Sequence, residues 1–122
     1  MAVVRTINGD VSPDTLGVVN AHDHLIRVGA GEVYIDPDHL LDDVDKAAQE
    51  ATYFVEASKS WAAGGTIIDM CPASSGRGVL KTLQVVEKVP GLQVVQATGF
   101  HQQKVYLCLL YTSPSPRDGL LS

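Results

Sequence analysis

An α/β fold with parallel strands is what this 122-residue sequence predicts. Two observations carry that reading: short, apolar, β-rich runs alternate with segments whose apolar residues recur at helical steps, and the first two runs end in polar, loop-forming residues. A third, Asn8-Gly9 between β-branched residues, adds a small hairpin in front. Parallel pairing with right-handed crossovers leaves an open doubly wound sheet or the start of a (β/α)8 barrel.

In chain order, Val3 to Val11 is the hairpin, its turn placed at Asn8-Gly9 because that dipeptide readily adopts positive φ. Ser12-Pro13-Asp14 has the cap and first-turn proline of a short helical turn, which Gly17 ends. Val18 to Leu25 reads as a buried strand with a polar C-terminal end. After a loop from Arg27 to Glu32, Asp36-Pro37 predicts the start of a long helix running to Gly64-Gly65. Its apolar face would carry Leu40, Leu41, Val44, Ala47, Ala48, Ala51, Phe54, Val55, Ser58, Trp61 and Ala62. Asp42, Asp43, Asp45 and Glu50 fall mainly on the opposite face as a solvated charged surface.

Thr66 to Met70 is the second strand, and Pro72 to Gly78 its polar loop. Val79, Leu80, Leu83, Val86 and Val89 then mark a helix before Pro90-Gly91, and Leu92 to Gly99 is the third strand. From 107 to 122 the pattern stops, since Pro114 and Pro116 allow neither a helix nor a central strand. The string LCLLYTSPSPRDGLLS resembles a translated adapter or read-through, so an unstructured, non-native tail without site residues is expected there.

A net charge of -5 and a pI near 5.1 argue against nucleic acid as a partner, because backbone-phosphate binders concentrate Lys and Arg. Cys71 and Cys108 lie far apart with no Cys-x-x-Cys spacing, which suggests neither a zinc ribbon nor a disulfide framework. The N-terminus lacks the features of a secretory signal, and no stretch approaches the ~20 apolar residues of a membrane span. A cytoplasmic protein is expected.

The chemistry concentrates at His22-Asp23-His24. Alternate residues of a strand point to one side, so both imidazoles can reach one ion from a single segment. Imidazole nitrogens suit zinc and similar ions, and α/β folds place ligands at the C-terminal ends of parallel strands. His39 reads as a surface residue; Asp69 either points inwards near the metal ligands or hydrogen-bonds a neighbouring strand, the second being the favoured reading. Arg77 reads as part of a helix start, because Ser74-Ser75-Gly76-Arg77-Gly78 lacks the Lys-Ser/Thr of a nucleotide loop.

The runs GDVSPDTLGVVNAHDHL, GGTIIDMCPASSGRGVLKTLQVV and QVVQATGFHQQKVY, spread over residues 3 to 106, resemble the phosphotriesterase family of the amidohydrolase superfamily. The shared features are a hairpin, a His-x-His-Leu strand, a Gly-Arg before the second helix and an Ala-Thr-Gly-aromatic third strand. The resemblance implies a TIM barrel, here its first three βα units at most, since a whole barrel takes roughly 200 residues or more. It further implies a binuclear site, zinc being the expected metal, and hydrolysis of a small-molecule ester, lactone or phosphotriester by a metal-activated hydroxide. His22 and His24 would bind the more buried ion, and Phe100 and His101, at the mouth of the third strand, would contact substrate. The family's remaining ligands and its aspartate base come from later strands; Lys104 and Asp118 do not fill those roles, and no catalytic residue is assigned. A truncated chain, inactive alone, is therefore expected, and the full-length protein could form a homodimer. Two rivals stand beside this reading: a non-catalytic α/β metal- or ligand-binding module, and another amidohydrolase acting on cyclic amides.

Overall fold

The structure, a computed structural model, describes residues 1–101; the tail expected from 107 to 122 lies outside the described residues. Strands β1 (Val4–Thr6) and β2 (Gly9–Val11) form the antiparallel hairpin. Thr6 pairs with Gly9, so the loop is Ile7-Asn8, one residue earlier than the expected Asn8-Gly9. Only Gly9 takes a positive φ, 121°; Asn8 does not, because the Thr6 hydroxyl closes the turn. It donates to the Gly9 carbonyl at 2.8 Å and accepts the Asn8 N–H at 3.3 Å. The Ile7 N–H donates to the Val94 carbonyl at 2.8 Å, which ties the hairpin to the sheet.

Strands β3 (Val18–Asp23), β4 (Gly65–Asp69) and β5 (Leu92–Gln96) are parallel and adjacent in chain order. A short helix α1 (Gly31–Ile35) follows β3, and helices α2 (Val44–Ser58) and α3 (Val79–Lys88) are the two crossovers. The core lies between these crossover helices and one face of the sheet: Ala48, Ala51 and Val55 from α2, Val85 from α3, Ile67, Leu92 and Val94 from the strands, and Ile26. Alternation sends Val19, Ile68 and Val95 to the opposite face, where they are exposed or half-buried. Sequential strand order with helices on one face is the arrangement that begins a (β/α)8 barrel.

The expected long helix is shorter at both ends. Asp36 does cap and Pro37 does sit in the first turn, but they open only a 3-10 turn, Pro37–His39. Leu40 is extended, and Leu41 exchanges backbone hydrogen bonds of 2.9 Å with Arg27, so neither leucine belongs to the helix face. The operative cap is Asp43, whose carboxylate accepts the Asp45 and Lys46 N–H groups, both at 3.0 Å. Helix α2 ends at Ser58, which leaves Trp61 beyond it and 85% exposed. Helix α3 is also rotated from its expected face: Thr82 and Val85 are buried while Leu80 is 75% exposed. Asp43→Ala is expected to cost about 1 kcal/mol in urea denaturation, because two amide donors lose their acceptor. Asp36→Ala, which leaves α2 untouched, should cost less.

Candidate metal centre at the end of the first parallel strand

Between Asn20 and Asp23 the register of β3 against β4 shifts by one residue, so the strand carries an irregularity where the histidines begin. Side chains of the same segment hold it. Asn20 accepts the His22 N–H at 3.3 Å and donates its amide to Asp23 at 2.7 Å, and Asp23 accepts the His24 N–H at 2.8 Å. The two imidazoles meet edge to face, their ring centroids 5.5 Å apart and their planes at 77°. His22 is exposed and His24 half-buried. The structure thus brings together the pair that the sequence singled out.

Behind His24 lies a group in which sequence reasoning gave Cys71 no role. Its Nδ1 is 3.1 Å from the Sγ of Cys71, which is fully buried. Asp69, also fully buried, accepts the Cys71 N–H through Oδ1 at 3.2 Å, while its Oδ2 is buried without a hydrogen-bond partner among the described residues. Asp69 pairs in register with Gln96 of the neighbouring strand β5, and it also stands beside His24. The pairing of Asp69 with Asp23 in the register sets the ends of β3 and β4 level. That pairing was the available signal, but it can be read only once the strands are known to be neighbours.

Electrostatics suit ligation by His24. Burial and the Arg27 charge push the His24 pKa down, so its ring is neutral and a nitrogen lone pair is available. Burial raises Asp69, and burial together with the Asp69 charge pushes the Cys71 thiol up to about 12. Arg27 is itself buried, its guanidinium 3.7 Å from the Glu32 carboxylate. Burial works against a charged Glu32, but hydrogen bonds from His101 and Ser75 hold its carboxyl below the usual range. The Ser75 hydroxyl donates at 2.9 Å, and the His101 ring bonds the same oxygen. His101 therefore joins the loop network through Glu32, with its backbone N–H on Ser74 at 3.3 Å. Phe100 is 55% exposed. His39 is a surface residue, 4.0 Å from Asp36, and Arg77 donates to the Ala97 carbonyl at 2.9 Å, a structural bond.

A cleft of about 820 Å³ opens beside β3, lined by Asp23, His24, Leu41, Lys46, Phe54 and Ile67 among others. The donor set at its edge fits a divalent ion: two imidazole rings 5.5 Å apart, one of them kept neutral, and a carboxylate oxygen without a partner among the described residues nearby. The buried carboxylate makes a thermodynamic prediction. Because its folded pKa is raised, the folded state holds the proton more tightly, and stability falls as pH rises from the ordinary aspartate range through the folded value. Asp69→Asn should therefore raise the stability of the metal-free chain at neutral pH, with the gain vanishing in acid, as followed by thermal unfolding across pH.

A sequence model of the phosphotriesterase family matches residues 2–117. The chain belongs to the phosphotriesterase family. A family relative from Mycoplasmopsis agalactiae named phospho-furanose lactonase is 38% identical over 104 residues, 84% of this chain and 28% of its own length. An amidohydrolase structure from Mycoplasma synoviae superposes with a TM-score of 0.75 at 38% identity, covering 85% of this chain and 29% of that one. A lactonase structure from Listeria monocytogenes gives 0.74 at 31% identity, with 85% and 30% covered. The chain thus spans less than a third of the length of these relatives. With them, the barrel reading prevails over the doubly wound sheet, and the three parallel strands are the first part of a (β/α)8 barrel.

Proposed function

We propose that the chain is the metal-binding N-terminal part of a lactonase-type hydrolase, in which His22 and His24 hold a divalent ion, zinc being the preferred metal. The observation that carries this is the meeting of the two rings at the C-terminal end of the first parallel strand, with His24 held neutral. An ion there supplies Lewis acidity for attack of water on an ester, lactone or phosphotriester. Asn20 and Asp23 fix the backbone that presents both rings, and Phe100 and His101, which follow β5, are the residues assigned to substrate contact. The relatives' names direct the choice of substrate to lactones, phosphorylated furanose lactones among them. Alone, the 122 residues are expected to bind metal without turnover, since two imidazoles hold an ion loosely.

The test is a hydrolysis panel on the protein extended to the length of its relatives and supplied with zinc. Lactone hydrolysis is expected, with kcat/KM falling more than about 100-fold in His22→Ala, beyond the range for loss of an outer partner. Hydrolysis of cyclic amides alone, or full activity in His22→Ala, would overturn the proposal.

A further inference from the structure

We infer that His24, Asp69 and Cys71 form a second cation site behind the histidine pair, a His–Asp–Cys set for a thiophilic divalent ion such as zinc or cobalt. One ligand atom from each residue lies within 4.8 Å of the other two. An ion with metal–nitrogen bonds of ~2.0 Å and metal–sulfur bonds of ~2.3 Å spans such a set after small side-chain adjustments. Two adjacent strands build it: His24 follows β3, Asp69 ends β4, and Cys71 begins the turn beyond. His24 turns Nδ1 towards Cys71, so this set uses one ring nitrogen and leaves Nε2 on the other edge of the ring.

The unpartnered Asp69 Oδ2 is an independent observation that points to a ligand. A buried carboxylate oxygen with no donor is costly, and few survive in folded proteins without a partner such as an ion. Arg27, the cation whose charge reaches His24 and Cys71, is ion-paired with Glu32 at 3.7 Å. A bound cation supplies what Asp69 lacks. On loading, the Cys71 thiol gives its proton to solvent and binds as thiolate, Asp69 binds through a carboxylate oxygen, and His24 enters neutral, which leaves a fourth position for water. His24 serves one ion at a time as a neutral ligand, so this set and the His22–His24 pair compete for it. The site does not rest on the hydrolase reading, since it needs neither His22 nor any residue of the later strands.

Cobalt(II) titration of the 122-residue chain, followed by absorption, tests it. A thiolate-to-cobalt charge-transfer band is expected, saturating at one equivalent. It should persist in His22→Ala and in Cys108→Ser, vanish in Cys71→Ser, and need roughly tenfold more cobalt or greater in Asp69→Asn. Absence of the band from the native chain, or its survival in Cys71→Ser, overturns the inference. Should Cys71→Ser fail to fold, cadmium NMR of the native chain decides: a thiolate-ligated resonance supports the site, and one with only nitrogen and oxygen ligands refutes it. Loss of hydrolysis in His22→Ala of the protein extended to the length of its relatives, with the band retained in His22→Ala of the 122-residue chain, separates this site from the catalytic pair.

Discussion

Gly76→Ala is expected to destabilise the chain by about 3 kcal/mol or more, a large part of the stability of a domain this size. Gly76 has φ of 95°, in the left-handed region, and a Cβ there would stand 2.1 Å from the Val28 carbonyl oxygen. That oxygen belongs to backbone and cannot swing away. The same junction carries a hydrogen bond of 2.7 Å from the Val28 N–H to the Gly76 carbonyl, which joins the loop after β3 to the turn after β4. The turn carries Ser74 and Ser75 just beyond Cys71, so the strain falls on the loops that frame the metal centre. Gly29→Ala is the control: nothing lies within 4 Å of the added carbon, and the change should be within about 0.5 kcal/mol. Chemical denaturation of the two variants side by side measures the difference.

His24→Ala is expected to abolish zinc binding, with affinity falling more than about 100-fold, because this residue is common to the His22 pair and to the Asp69–Cys71 set. Removal of either partner group alone should leave the other set able to hold an ion. The pH dependence follows from the His24 environment. With a folded pKa below its unfolded value, the neutral ring contributes stability above the ordinary histidine range that is lost as pH falls through the folded value. Metal should accordingly be retained on acidification below the point at which an ordinary histidine protonates, and be released as His24 itself charges.

The sequence made the strands legible because each is a short β-rich run closed by glycine or polar residues, and β3, β4 and β5 lie within a few residues of their expected spans. His22 and His24 were legible for the same reason, since both lie in one segment and local periodicity relates them. The start of α2 was misplaced because two capping signals compete within eight residues. Asp36-Pro37 is the more conspicuous, but the antiparallel bridge between Arg27 and Leu41 keeps the intervening chain extended, and that is a long-range contact. The meeting of Asp69 and Cys71 with His24 was not legible for a related reason. Their partner His24 is 47 residues from Cys71, and nothing in either segment announces that the two strand ends meet. Burial of an orphaned carboxylate oxygen, likewise, is a property of packing that no local pattern encodes.

Calorimetric titration of zinc into the native chain and into the His22→Ala, His24→Ala double variant tests the metal centre at the end of β3 most directly. One ion bound per native chain, with no measurable heat of binding in the double variant whose fold is retained, is the predicted result. Equal affinity and stoichiometry in the two proteins would contradict it.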